Sequence, residues 1–512
     1  MQGSSKPDRQ LLDAAAFCRH LVGEGTVHAF LAEHRHEVFP DEMFADLFPS
    51  ERGRPSVPAE VVASVMVLQA LEGLSDREAV EKLRTSITWK VACGLPLDDE
   101  GFHPTVLVLW RNKLRASDNP ERIFEAVRKV VDESGVLKKK NRRALDSTVL
   151  EDAVQRQDTI GLLQSQIRRV RKLVPTLLEK VYVHELNLGP GRPPCDFEDQ
   201  DDVDRVVSEL VEDANELVWA PEDLGLDLDE AQQQAIALLA LLAGQDVEPV
   251  EGRPGRWRIA QRTAPDRVLS SVDPESRHAH KTEHSYRDGY KGHVAVEPGT
   301  GIVTAVDLTA GNTADGEVAL DLLEEEPDGT QVLADAAYGS GELRAKIEGA
   351  GFSPVIKPMP LKPATEGGFT LDDFKIAEDD KTITCPVGVT VKINPNGRAR
   401  FAKHCATCPL RRRCTKSKAG RTIVLNEHHD LLAAARRQAM TEEFQETYRT
   451  YRPMVERTIA WLVRGPNRKL RYIGTERNRL WFHHRVAAVN LKRLLNLGLV
   501  RENGGWTMAT AR

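Results

Sequence analysis

Three acidic residues sit where chemistry would want them. Asp146 follows Arg143-Ala144-Leu145 and precedes Ser147-Thr148-Val149-Leu150, and Asp335 follows Val332-Leu333-Ala334 and precedes Ala336-Ala337-Tyr338-Gly339. The third, Glu456, lies within Pro453-Met454-Val455-Glu456-Arg457. A strand can deliver each aspartate to a shared edge, and the glutamate sits in a helical pattern. Carboxylate oxygens are the ligands Mg²⁺ prefers; two such cations about 3.5–4 Å apart can activate a water or a 3′-hydroxyl and stabilise the leaving oxygen of a phosphodiester. Each acid also has a structural explanation when taken alone. Asp146 can form an Asx turn with the residues after it, and Asp335 can cap the turn before Tyr338-Gly339. Glu456 can form an i,i+4 ion pair with Arg452, worth only about 0.2–0.5 kcal/mol when exposed. Glu476, in Gly474-Thr475-Glu476-Arg477, competes with Glu456 for the third position.

The elements that must position these groups are partly readable. Phe444, Tyr448, Tyr451, Val455, Ile459 and Leu462 recur at helical spacing and predict a helix that packs this stripe on a sheet, with Glu456 turned to the aspartates and Arg452 near a phosphate. Alternation over 290–296 and 302–306, across Pro298-Gly299-Thr300-Gly301, predicts a hairpin. A helix over Gly316–Leu323, a strand over Gln331–Ala334, a helix over Gly341–Ile347 and a strand around Val355 follow, so this region reads as an α/β core. Residues 1–140 read as helical: Pro58-Ala59-Glu60-Val61 opens an amphipathic stretch, Ser75-Asp76-Arg77-Glu78 is a capping signal, and Leu107–Leu114 falls in a further helix. Arg111, Lys113 and Arg115 suit either a helix-turn-helix DNA reader or a plain helical bundle. After Asp146 come a helix over Ile160–Leu178 with Arg168, Arg169, Arg171 and Lys172 at its heart, a turn at Gly189-Pro190-Gly191, an acidic helix after Asp201 and an apolar segment over Ala235–Leu242. Together these predict a helical insertion ending near Gly252-Arg253-Pro254-Gly255.

Composition sets outer limits. A 512-residue chain with 41% apolar and 29% charged residues and a net charge of −7 is a globular protein of roughly two to four domains. The positive charge is local: Arg452 to Arg493 holds eleven Lys and Arg against two Glu, a track suited to a polyanion or a solvated face. No segment approaches the roughly 18 apolar residues of a membrane helix, and the N-terminal residues lack a signal-like apolar core, so a cytoplasmic protein is expected. Of seven cysteines, Cys385, Cys405, Cys408 and Cys414 cluster, the last three as Cys-x2-Cys-x5-Cys around Arg411, Arg412 and Arg413. Four thiolates can close a tetrahedral zinc site and stabilise a segment too small for its own core. An iron–sulfur cluster is the second reading, with His404 a substitute ligand and four reduced thiols the third. Cys18, Cys93 and Cys195 are scattered.

In their order along the chain these motifs resemble the DDE-type insertion-sequence transposases. Ile87-Thr88-Trp89-Lys90-Val91-Ala92-Cys93-Gly94-Leu95 and Leu107-Val108-Leu109-Trp110-Arg111-Asn112-Lys113-Leu114 are similar to the family's helical N-terminal domain. Leu145-Asp146-Ser147-Thr148 resembles the first aspartate motif, Asp288-Gly289-Tyr290-Lys291-Gly292-His293 and Ala310-Gly311-Asn312-Thr313-Ala314-Asp315 the intermediate signatures, and Ala334-Asp335-Ala336-Ala337-Tyr338-Gly339 the second aspartate motif. Val455-Glu456-Arg457, Arg471-Tyr472-Ile473-Gly474 and Ala488-Val489-Asn490-Leu491-Lys492-Arg493 resemble the C-terminal glutamate region. One departure stands out. Related branches carry a tyrosine three residues before the arginine and a lysine seven after the glutamate, where this chain has Arg449 and Val463, with Tyr448 and Arg464 one residue away.

The resemblance implies an RNase H-like mixed-sheet α/β core with a helical N-terminal domain and helical and Cys-bearing insertions. The expected division is 1–140 helical and DNA-binding; 141–155 and 265–360 the first part of the core; 156–264 the helical insertion; 361–435 the Cys-bearing insertion; 436–512 the core's C-terminal part. It implies that Asp146, Asp335 and Glu456 hold two Mg²⁺ or Mn²⁺ ions, first to nick DNA at the element's end and then to join the freed 3′-OH to target DNA. Arg452, Arg457, Arg464 and Lys469 would grip phosphates. Double-stranded DNA is the implied partner, a homodimer or larger synaptic assembly the implied state, and the nucleoid the implied location. A metal nuclease that does not join, and a DNA-binding regulator with structural carboxylates, are the competing functions.

Overall fold

The computed structural model describes residues 1–5, 12–50, 52–282, 285–377, 379 and 381–509. Among these residues the main sheet has six strands: β1 (Arg142–Glu151), β2 (Arg277–Thr282), β3 (Ser285–Glu297), β4 (Ile302–Ala310), β5 (Gln331–Ala334) and β6 (Ser353–Ile356). Central β1 runs antiparallel to β3 on one edge and parallel to β5 on the other, with β6 parallel outside β5. β4 forms the expected hairpin with β3 through Gly301, whose φ of +76° is the left-handed region that glycine adopts without steric cost. β2, which the alternation did not announce, pairs with the first half of β3. This mixed sheet, antiparallel on one side of β1 and parallel on the other, is the RNase H-like core.

Alternation along β1 divides its side chains between two apolar cores. Ala144 and Leu150 face the larger one with Val294, Leu333, Val455 and Phe482, whereas Leu145 faces Ala295, Val332, Leu343 and Ile347. The expected helix over Gly316–Leu323 is instead two 3₁₀ turns, Asp315–Glu317 and Asp321–Leu323. Gly316 is a weak helix former, and the Asp315 carboxylate is bound by Ser147 and Lys291 rather than free to cap a helix. The glutamate stripe is also divided: Pro453 lacks an amide N–H and starts a second helix, so Glu442–Tyr451 and Pro453–Leu462 follow one another with Arg452 between.

The N-terminal helices share the larger core with the sheet. The helix Ala59–Glu72 is not amphipathic as expected; every residue from Ala59 to Ala70 is buried. Its Ala, Val, Met and Leu side chains lie on all faces, because helices surround it, among them the C-terminal helix Thr475–Asn496. Arg485 joins the parts. Its guanidinium donates to the Ala70 and Leu71 carbonyls, both at 2.7 Å, and to those of Trp461 at 2.6 Å and Leu462 at 2.9 Å. Two helix C-termini, each with unpaired carbonyls and a negative dipole end, are thereby satisfied by one buried cation. The expected capping box at Ser75 and Glu78 is present.

The helical insertion has its own core, built by Thr159–Leu173, Gln200–Asp223 and Glu230–Gln245 around Leu163, Ile167, Val207, Leu210 and Leu239. It extends beyond the expected limit at 264, since Val268 belongs to this core and Arg267 pairs with buried Asp246 at 2.5 Å. Pro175 ends the first helix and starts a separate turn, Pro175–Leu178. Among the described residues the Cys-bearing segment forms two small antiparallel sheets over Phe374, Ile383, Ala399, Phe401 and Ile423, so it is not coreless as expected. Its expected limit at 435 falls inside the helix His429–Ala439. Among the described residues no helix is long and apolar enough to cross a membrane.

Candidate active site

The register of β1 and β5 brings the two aspartates together. Ala144 pairs with Leu333 in parallel, so Asp146 and Asp335, each two residues further on, share a level and a face. The two are delivered to that level differently. β5 stops at Ala334 and Asp335 opens a 3₁₀ turn, whereas Asp146 lies in the middle of β1. Asp335 caps its turn as expected, Oδ1 accepting from the Ala337 amide at 2.9 Å, whereas Asp146 forms no Asx turn: within the strand its Oδ1 accepts from the adjacent Ser147 amide at 2.8 Å. Those bonds fix the carboxylates and leave each its second oxygen.

Asp146 Oδ2 lies 2.9 Å from Arg452 Nη2. This corrects one expectation. Arg452 is not turned to a phosphate; its side chain is 5% exposed and occupied by the aspartate. Burial pushes the Asp146 carboxyl above its ordinary range, Arg452 pulls it down, and the Asp335 charge adds to the upward push. Burial works against the charge on Arg452, but Asp146 and Asp335 hold it more firmly protonated than a free guanidinium. Its Nε and Nη1 are buried without a hydrogen-bond partner among the described residues.

Glu456 lies one helical turn after Arg452, with Oε1 3.8 Å from Nη1 and a side chain 68% exposed. Glu476 stands elsewhere, 82% exposed and 3.6 Å from Arg115 of the N-terminal helix Thr105–Arg115. Of the two glutamates, Glu456 is the one that shares a partner with Asp146. Tyr448, one turn before Arg452, completes this face: its phenol is pushed up by burial and sits in the field of Arg452, Asp335 and Glu456. Tyrosine, arginine and glutamate therefore follow at i, i+4 and i+8, and the one-residue departure in the sequence leaves Tyr448 beside the site. In the sequence Tyr448 reads as part of the apolar stripe and as one residue off the position of the related branches' tyrosine; its i,i+4 spacing from Arg452 is what puts it on the same helix face.

Oxygen donors from two aspartates and a glutamate suit a hard divalent cation. The aspartate pair is built, but the triad is not closed. Among the described residues no group of three or more His, Cys, Asp or Glu is arranged to hold a metal, and Arg452 lies between Asp146 and Glu456. The four cysteines behave similarly. Cys385, Cys405, Cys408 and Cys414 line one small pocket with His404, and burial pushes the Cys414 thiol up while its three neighbours add to the push. The donor set fits zinc chemically, although among the described residues it does not stand in a closed tetrahedron.

Arg457, Arg464 and Lys469 are exposed. The 464–470 loop runs along the end of β1, where Arg468 donates to the Val149 carbonyl at 3.2 Å and the Leu470 amide to the Glu151 carbonyl at 2.7 Å. The cations expected to read DNA from the N-terminal helices are engaged within the fold. Arg111 pairs with Asp76 and stacks on Tyr472, Lys113 donates to the Leu47 carbonyl at 2.7 Å, and Arg115 faces Glu476.

Two family models match the chain. Residues 384–495 match a transposase DDE domain, and residues 26–113 match a transposase domain (DUF772). These matches support an insertion-sequence DDE transposase. The DDE match takes in Cys385, Cys405, Cys408, Cys414, Arg452 and Glu456 of this chain, while Asp146 and Asp335 lie outside both matches, joined to it here by the Arg452 contact. No curated protein and no solved structure matches the chain.

Proposed function

We propose that this transposase cuts and joins DNA at a site formed by Asp146, Asp335 and Glu456. The observation that carries the reading is the level placement of Asp146 and Asp335 on one sheet face, with Arg452 and Glu456 brought over them by the helix pair. The three carboxylates would hold Mg²⁺ or Mn²⁺, which when bound supplies an activated water or 3′-hydroxyl and charge stabilisation at the phosphorus. The protein's own residues set the frame. The Ser147 and Ala337 amides orient the aspartates, Arg452 balances their charge, and the exposed Glu456 has the freedom to swing toward them. Arg457, Arg464 and Lys469 would take DNA phosphates, and the four cysteines of the matched domain would hold a structural zinc. The double-stranded substrates are the element's ends and a target, brought together by a dimer or larger assembly in a cytoplasmic, nucleoid-associated setting; the mass of the complex on paired ends reads that assembly.

The test supplies the full chain and Mg²⁺ with labelled duplex carrying the sequences that flank its coding region. Joined products are expected. Nicks without joining would favour a nuclease, and binding without cleavage a regulator. Asp335→Asn should remove cleavage and joining while leaving the unfolding midpoint near that of the parent; retained strand transfer by this variant would sink the triad.

A further inference from the structure

β1 loses its β5 partner just where it carries Asp146. Backbone pairing between the two ends at Ala144 with Leu333, and β5 ends at Ala334, so from Asp146 onward that edge of β1 faces the turn after Asp335. Something else must hold the two backbones at a fixed spacing. On the opposite face of the sheet Ser147 Oγ donates to Asp315 Oδ1 at 2.8 Å. Lys291 Nζ lies 3.1 Å from the same oxygen and donates to the Thr313 carbonyl at 2.6 Å. His293, fully buried and paired across the strands with Ser147, places Nδ1 4.0 Å from that oxygen and Nε2 2.9 Å from Thr309 Oγ1. The Asp315–Glu317 turn packs against the Ala336–Tyr338 turn that begins at Asp335. Buried Tyr338 lies in the field of Asp315, Asp146 and Asp335 together.

We infer that Asp315 is a positioning residue for the metal site, a clamp that ties β1 through Ser147, and the Asp335 turn through the packed 3₁₀ turns, so that the Asp146–Asp335 spacing is set before any cation binds. Lys291 pairs with the Asp315 carboxylate and aims it at Ser147, and buried His293 walls the network from the core. This rests on the metal-site reading above. It gives a physical role to two sequence signatures, Lys291-Gly292-His293 and Thr313-Ala314-Asp315, that the carboxylate triad does not use.

Groups that orient metal ligands without touching the metal change affinity by about 10–100-fold when removed. The test is the rise in thermal midpoint of the full chain with added Mn²⁺, measured for the parent, Ser147→Ala, Asp315→Asn and Asp315→Glu, with midpoints in chelator recorded first. Ser147→Ala removes one hydroxyl and should keep the chelator midpoint of the parent. Both Ser147→Ala and Asp315→Asn are expected to need at least about tenfold more Mn²⁺ for the same rise, with partial recovery in Asp315→Glu. Parent-like Mn²⁺ responses in Ser147→Ala and Asp315→Asn would overturn the clamp and leave the metal site standing. A parent that shows no Mn²⁺ response, or one that survives Asp335→Asn, would overturn the metal site and the clamp with it.

Discussion

Arg452 shows how far burial alters the meaning of a single side chain. In the sequence it is one of eleven cations in a basic stretch; in the fold it is a buried counter-ion 2.9 Å from Asp146. Removing one partner of a buried pair leaves the other charge without solvent or partner, a loss of about 3–5 kcal/mol for well-buried pairs. Arg452→Met should therefore lower the urea midpoint substantially, Asp146→Asn added to it should recover part of the loss, and Mn²⁺ should stabilise the single variant more than the parent by replacing the missing positive charge. An unchanged midpoint in Arg452→Met would show that the pair does not hold the site. The aspartates themselves are legible in the sequence, because a short apolar run followed by a polar residue announces a strand and what it delivers. The burial of Arg452 is not, since nothing local distinguishes it from exposed Arg457 five residues on.

Among the elements, the stripe from Phe444 to Leu462 is readable because helical periodicity is local, and Pro453 divides it without changing the face it buries. The Gly316–Leu323 segment departs from its expected form for the complementary reason. Its apolar spacing suits a helix, but contacts with Ser147, Lys291 and the turn after Asp335 hold it as separate turns. The Cys-bearing segment carries its own prediction. If its four thiols hold zinc, protein purified without chelator should contain about one zinc per chain, and Cys408→Ser should lose most of it along with thermal stability. Metal-free protein that is folded and unaffected by chelator would remove zinc from the reading. The small core around Phe374, Phe401 and Ile423 means that the metal would add to existing packing rather than replace it.

Across the whole molecule, the N-terminal helices, the sheet and the C-terminal helix share one apolar core, so helices from both family-matched segments pack together in it. A phosphate track has to lie on what this packing leaves exposed. Arg457, Arg464 and Lys469 qualify, whereas Arg111 and Arg452 are spent inside. Each phosphate contact releases condensed counterions, so replacing one of the three by Gln should weaken duplex binding at all sequences and reduce the slope of log K against log salt by about 0.9. Fluorescence anisotropy over a salt series reads this; three unchanged slopes would move the track elsewhere.

Local signals in the chain settle most of the elements and the order of the motifs, because periodicity, capping and turn chemistry act over a few neighbouring residues. Helices such as Asp76–Thr85 and strands such as Gln331–Ala334 stand where those signals put them. Folding alone settles that Glu456 rather than Glu476 meets Asp146's partner, that Arg452 is buried, and that Asp315 reaches Ser147 from 168 residues away. Those outcomes depend on sheet register and on helices closing over it, as when Arg485 reaches Ala70 across 415 residues. Such contacts leave no local trace, since their energy comes from burying and pairing groups that the chain brings together only on folding.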